Sequence, residues 1–525
     1  MASTLISEES EINAEPVLEE LVAHLDWRFF AEVMGLLALF IAILAYIQYV
    51  TPAIVGNDGY YHIRIADLIR RHGLKPDFIW MPLTILNEKD FYDHHMLYHV
   101  ILALFITGDP RKPVADATLF TAAKWASIVI PALAFVAIWY LLRRQGVRWA
   151  WLWALGLFAV SDAFIYRMSQ VRAQALSLLI LVIGIHWLLK RGYRLLLPLG
   201  FAYVWSYNAF PLLVVVAGVV FVATWITEKK FEWEALIWPV AGIVLGLILN
   251  PYFPKDIKFI FEHLLPKFGE NPSGLGIEWE PYNTWILFNN STLMFFLLPL
   301  GIFALGWQNR RIDRSQLVAL LLMCVFGLML IKSRRFVEYA PAFVLIFTAL
   351  ACRPVIERWA VGKTATYLAV TAALLTVLLV PWLYRAIDQA RTAVDTSESA
   401  SYMADGVHWL KEHAPPGAMM FQTDWDDFTR LFFYDTDHIY LVGLDPTYLQ
   451  LADPTLYDLW VAITRGQVKN PSPQIAADFG HPLYVFSDVQ HTAFMNLAAD
   501  DPGLKEVYRD NEVVIYEVLA NTGSD

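Results

Sequence analysis

The chain has 525 residues, 57% of them hydrophobic and only 17% charged, where an ordinary soluble protein carries about a quarter charged residues; the deficit belongs to a protein in contact with lipid. The formal net charge is −11, with the acidic residues gathered in the N-terminal segment and the last third, which argues against a nucleic-acid partner. The two cysteines, Cys324 and Cys352, fall in or beside apolar runs, which excludes a disulfide framework and a Cys-rich metal site.

Residues 1–28 form an acidic segment (Glu8, Glu9, Glu11, Glu15, Glu19, Glu20) without the basic flank and small-residue cleavage site of a signal peptide. The apolar run that follows, 29–50, is therefore expected to remain as an anchor, and it is long enough to cross a hydrocarbon core of about 30 Å as a helix. Further runs lie at 116–142, 149–165, 173–189, 194–208, 210–227, 235–250, 285–306, 315–331, 337–351 and 365–384. The expected fold is an α-helical polytopic membrane protein with about eleven transmembrane helices over 29–384. Arg143, Arg144 and Arg148, then Lys190, Arg191 and Arg194, then Lys229 and Lys230, then Arg310, Arg311 and Arg314, then Arg353, Arg358 and Lys363 occupy alternate loops. Basic loops face the cytoplasm, so the N-terminus is expected there and the loops 51–115 and 251–284 outside.

The first outer loop opens with Gly56-Asn57-Asp58-Gly59-Tyr60-Tyr61-His62. The spacing predicts a helix over 59–72, lying on the membrane, with Asp58 and His62 on one face. Such a carboxylate can bind a cation or accept a proton from a nucleophile; equally, Asn57 or Asp58 can cap the helix. A second helix is predicted from His95 to Thr107, where His95 and His99 have the spacing of a two-ligand metal site.

Between two spans, Asp162 to Gln174 carries Arg167 and Arg172, and a second cationic cluster holds Arg334 and Arg335 with Glu338. Guanidinium forks clamp phosphate, so two such clusters on one side favour an anionic lipid headgroup, although each taken singly also reads as a membrane anchor. In the long loop, Glu278-Trp279-Glu280-Pro281-Tyr282 sets two carboxylates beside rings, a mixture suited to sugar or peptide.

After 385 the pattern alternates: a capped helix at 399–413, then strands at 419–423, 439–442, 482–486, 504–508 and 513–518. This order predicts a soluble extracytoplasmic α/β domain over 385–525. Its string Asp424-Trp425-Asp426-Asp427-Phe428 follows a strand, where an aspartate commonly caps the next helix.

The layout and the string Asn57-Asp58-Gly59-Tyr60 resemble the polyprenyl-phosphate-sugar-dependent membrane glycosyltransferases of the GT-C type, especially the catalytic subunit of oligosaccharyltransferase. The resemblance implies transfer of a sugar or oligosaccharide from a polyprenyl-(pyro)phosphate donor to a protein, lipid or polysaccharide acceptor on the outer face of the bilayer. It implies Asp58 as a metal- and acceptor-orienting residue and Glu278 or Glu280 as the loop glutamate, while Arg172, Arg167, Arg334 and Arg335 are donor-phosphate candidates by their own guanidinium chemistry. Where the family has a second acidic metal pair, this chain has Arg172 and Gln174. Two arrangements stand: Asp162, with His62 or His95, joins Asp58 on Mg²⁺ or Mn²⁺, or Arg172 neutralises the phosphates directly. The family's Trp-Trp-Asp-Tyr-Gly string, which reads a Ser or Thr of the acceptor, is replaced by Asp424 to Phe428, leaving Trp425, Asp426, Asp427 and Tyr282 as acceptor-side candidates. A bacterial inner membrane is the expected location. A transporter or flippase of lipid-linked intermediates is the competing class, and it calls for polar residues inside the spans.

Overall fold

The computed structural model describes residues 27–264 and 277–519. The acidic segment up to residue 26, residues 265–276 of the loop over 251–284 and the last six residues lie outside the described residues. Each predicted apolar run is helical, but the lengths divide them. Six helices are long and apolar enough to cross a membrane: Trp27–Gln48, Asp116–Arg144, Pro211–Glu228, Arg314–Lys332, Ala340–Ala360 and Ala365–Asp395. Thr284–Asn290 and Thr292–Trp307 make a seventh if the pair, bent by 85°, is one span. These helices mark an integral membrane protein; the expected count of eleven is not reached among the described residues.

The remaining runs are short or broken for identifiable reasons. Gln174–Leu189 has 16 residues, a rise of about 24 Å at the α-helical pitch. The run at 149–165 is interrupted at Ser161, whose extended backbone starts a new helix, Asp162–Met168. The Ser161 hydroxyl accepts from the Phe164 N–H and from Ser291. Leu196–Ser206 and Glu234–Ile248 pack backbone to backbone: a Cβ on Gly242 would stand 2.2 Å from the carbonyl oxygen of Leu197. Small residues permit such approaches between apolar helices. Arg314–Lys332 begins with a capping box between Asp313 and Gln316. The outermost helix, Ala365–Asp395, keeps Leu374, Val377 and Leu378 exposed, as a lipid-facing surface requires.

The helix Asp58–His72 does not lie on a surface. Residues Gly59 to Ile69 are all buried, between the helical bundle and the C-terminal region. Its charges are satisfied internally: Arg64 Nε donates to the Phe433 carbonyl at 2.7 Å, and buried Asp67 pairs with Arg70 and Arg71. The second predicted outer helix is Met96–Ala103.

Residues beyond 395 build one five-stranded sheet from β1 (Met419–Gln422), β2 (Ile439–Tyr440), β3 (Tyr484–Asp488), β4 (Leu504–Arg509) and β5 (Val513–Val518), in the order β2-β1-β3-β5-β4. β1 is parallel to β2 and β3, and β5 is antiparallel to β3 and β4. The helix before β1 starts at Ala404 rather than at a Ser399 cap. One apolar cluster joins Tyr61, Ile65 and Leu68 of the loop over 51–115 to Phe428, Phe432 and Phe486, so the loop and the sheet region share a core.

Candidate active site

A cavity of about 860 Å³ opens where the loop over 51–115, the turn after Met168, the Glu278 segment, the 334–338 turn and the 425–430 turn converge. Gly56 turns the chain after the first helix with φ +78°, a left-handed conformation that favours glycine. Gly59 then sits hard against its neighbours, since a Cβ would lie 2.5 Å from Ile54 Cγ2 and 3.0 Å from Val171 Cβ. This approach sets Asp58, the first residue of its helix, beside Arg172, whose Nη2 donates to the Asp58 carboxylate. Neither Asn57 nor Asp58 caps the helix through its side chain. Instead Asn57 Nδ2 donates to Asp426 Oδ2 at 3.0 Å, and its Oδ1 accepts from Arg430 Nε at 3.2 Å.

Glu278 is the hub. Its Oε2 accepts from Arg172 Nη1 and Arg167 Nη2, each at 3.0 Å, and its Oε1 accepts from Arg335 Nη1 at 2.9 Å. Arg167 also donates from Nε to buried Glu338 at 2.7 Å, and Arg335 donates to the Tyr207 hydroxyl at 3.0 Å while lying over the Trp279 ring. Burial alone would raise the Glu278 carboxyl, but Arg335, Arg172 and Arg167 together hold it well below the usual carboxylate range. Three guanidinium groups thus face three carboxylates in a partly dry pocket, where charge-assisted hydrogen bonds are strongest.

Several residues singled out from the sequence stand off the cavity wall. Glu280 is exposed and pairs with Arg334 at 3.5 Å, and Arg334 in turn lies over Tyr282. None of the three lines the cavity. Asp162 is turned to its own helix start, accepting from the Ala163 N–H at 2.8 Å, and burial raises its carboxyl to about 6.

His62 and His95 do line the cavity, and Nδ1 of His62 is paired with a third imidazole, His99. His99 Nδ1 lies 2.7 Å from Asp93 Oδ2 and its Nε2 lies 2.8 Å from His62 Nδ1. Through its ring nitrogens His99 thus pairs with Asp93 and His62, and not with His95. Burial, the neighbouring imidazoles and one arginine each, Arg172 for His62 and Arg335 for His95, lower both well below the ordinary imidazole value. Asp58, Asp162, His62 and His95 do not gather as a ligand set; among the described residues the group that does is Asp424, Asp488 and His491.

Trp425 and Asp426 also line the cavity. Burial and the charge of Asp58 raise the Asp426 carboxyl to about 6, against the Asn57 hydrogen bond that lowers it. Asp427 is buried behind them, its carboxyl pushed well up by burial and by Asp488 and Asp424. Sequence reasoning passed over Tyr207 and Arg430. A lone arginine in the apolar string Phe428 to Phe433 was the available signal for Arg430, whose side chain is 3% exposed and lies 4.2 Å over the Tyr60 ring.

No protein-family model and no curated protein matches the chain by sequence. Solved structures do match. The archaeal oligosaccharyltransferase AglB from Archaeoglobus fulgidus, in complex with an inhibitory peptide and a dolichol-phosphate, superposes with a TM-score of 0.63 at 13% identity, covering 94% of this chain and 75% of that one. ArnT from Cupriavidus metallidurans, bound to undecaprenyl phosphate, gives 0.56 at 15% identity, covering 94% and 99%. The arabinofuranosyltransferase AftD from Mycobacteria gives 0.52 at 14% identity over 94% of this chain and 42% of that one. The chain therefore has the fold of the GT-C glycosyltransferases.

Proposed function

We propose that the cavity transfers a sugar or oligosaccharide from a polyprenyl-(pyro)phosphate donor to an acceptor on the outer face of the membrane. The observation that carries this reading is the convergence of Arg167, Arg172 and Arg335 on the single carboxylate of Glu278, next to Asp58. Three forks around one anion form a seat for phosphate oxygens. Dolichol-phosphate in the AglB structure and undecaprenyl phosphate in the ArnT structure support the same donor chemistry here.

In the reaction, a nucleophilic atom of the acceptor forms a bond to the anomeric carbon while the bond from that carbon to the phosphate oxygen breaks. The electron pair leaves with the phosphate, where Arg172, Arg335 and Arg167 meet the growing negative charge. The acceptor proton passes to Asp58. Glu278 occupies the same forks, so donor binding displaces it, and its segment then closes over the site. Asn57, Trp425 and Asp426 line the acceptor side. We assign residues 29–384 to the transmembrane transferase part and 385–525 to an extracytoplasmic part, with the N-terminus cytoplasmic and a bacterial inner membrane as the location.

A lipid or polysaccharide acceptor is the second reading, favoured by Asp424 to Phe428 standing where the family reads a peptide hydroxyl. A flippase fits less well, because the polar network sits on segments that connect the long apolar helices rather than inside them. Proteoliposomes loaded with crude native lipid donor and candidate acceptors decide the matter. Acceptor-dependent release of free polyprenyl phosphate, with a glycosylated product of matching mass, is the expected result; donor crossing the bilayer with its phosphate linkage intact would replace transfer with transport.

A further inference from the structure

We infer that the turn between β1 and the helix Phe428–Tyr434 carries a divalent-cation site, formed by Asp424, Asp488 and His491 with Asp427 behind them, and distinct from the Asp58 cavity. β1 and β3 are parallel neighbours in which Gln422 pairs with Phe486, so two residues further on Asp424 stands level with Asp488. Ligands bind at the carboxyl ends of parallel strands because the loops there splay apart while the strands hold them in register. The two ends are fastened by the Thr423 hydroxyl on the Ser487 hydroxyl at 3.1 Å.

One ligand atom from each of Asp424, Asp488 and His491 lies within 4.8 Å of the others. The carboxylates are already oriented: Asp488 Oδ1 accepts from the N–H groups of Gln490 and His491 at 2.7 and 3.1 Å, and Asp424 Oδ1 accepts from the Asp426 N–H at 2.9 Å. His491 Nδ1 lies 3.0 Å from Asp488 Oδ2. This contact fixes the orientation of the His491 ring in the turn.

Acidic clusters are common without an ion, and the second observation is what separates this one. Asp427 is only 8% exposed, and its Oδ2 has no hydrogen-bond partner. The charges acting on it most strongly are Asp488 and then Asp424, followed by Asp426 and Glu398. Arg430, the nearby cation, is tied to Glu398 at 3.1 Å. A buried carboxylate among carboxylates calls for positive charge, and a dication among Asp424, Asp488 and His491 supplies it. A mixed set of carboxylate oxygen and imidazole nitrogen suits Mn²⁺ or Zn²⁺ rather than Ca²⁺ or Mg²⁺, which take oxygen ligands. Such an ion fixes the turn that holds Trp425 and Asp426 against the cavity, and so acts as a positioning site.

The test uses the full chain in detergent, stripped with a chelator and titrated with Mn²⁺ by electron paramagnetic resonance, with Zn²⁺ as competitor. Asp424→Asn, Asp488→Asn and His491→Gln are each expected to weaken one bound Mn²⁺ by about a hundredfold or more, and Asp58→Asn to leave that ion in place. Equal Mn²⁺ affinity in the wild type and these three variants overturns the proposal. Should the aspartate variants fail to fold, Fe²⁺ with ascorbate in the wild type decides it: backbone cleavage near residues 424 and 488 supports the site, and its absence there refutes it.

Discussion

Arg172 donates through Nη2 to the carboxylate of Asp58, a residue 114 positions earlier in the chain. Through Nη1 the same guanidinium holds Glu278. Acid, cation and loop glutamate are thus one connected group, in which a change at any member is felt by the other two.

Replacing Asp58 by alanine removes the proposed proton acceptor. Turnover is expected to fall by about 10² to 10⁴, the usual span for loss of a general base, with membrane expression unchanged. Polyprenyl phosphate release with a matched donor and acceptor measures it, and wild-type turnover would reject the assignment.

Gly59→Ala tests the close approach rather than the chemistry. Its Cβ would meet Ile54 at 2.5 Å and Val171 at 3.0 Å, forcing the start of the helix away from Arg172. Overpacking of this kind costs roughly 1–3 kcal/mol. Misplacement by about 1 Å lowers kcat on the order of 10²-fold. Thermal unfolding together with a donor and acceptor kinetic series separates the two effects.

Arg172→Lys and Arg335→Lys keep the charge and lose the planar fork. Lysine cannot reproduce two parallel hydrogen bonds to phosphate oxygens, so KM for the donor is expected to rise by about tenfold or more while the protein still folds. An unchanged donor KM in both variants would place the phosphate elsewhere.

Glu278→Gln leaves three guanidinium groups facing two carboxylates. Unpaired buried charge is destabilising, so Tm falls. The freed cations bind polyprenyl phosphate more tightly, so product leaves more slowly and kcat drops. Isothermal titration with polyprenyl phosphate reads the affinity directly; weaker binding than in the wild type contradicts the shared-seat reading.

Burial and Asp58 raise Asp426 to about 6, so it holds its proton below that pH and is a carboxylate above it. If the acceptor donates to this carboxylate, kcat/KM for the acceptor rises as pH increases through about 6. Asp426→Asn is expected to lose that limb; a profile with the limb intact assigns it to another group.

The sequence by itself determined the membrane character, the position of every apolar run and the succession of five strands, because hydropathy and alternation are local properties of the chain. It also brought forward Asp58, Arg167, Arg172, Glu278 and Arg335 from short polar strings. What it could not decide was direction. Glu278 and Glu280 are two residues apart in one string, yet Glu278 meets three arginines while Glu280 is exposed beside Arg334. The charged pattern of Asp58–His72 reads as a surface helix, and the tertiary structure buries it because the Phe433 carbonyl and Asp116 satisfy Arg64 from elsewhere in the chain. The grouping of Asp424, Asp488 and His491 was likewise hidden from the sequence, since strand register brings residues 64 positions apart to one edge. Long-range partners decide where a polar side chain is stable, and no local window of sequence contains them.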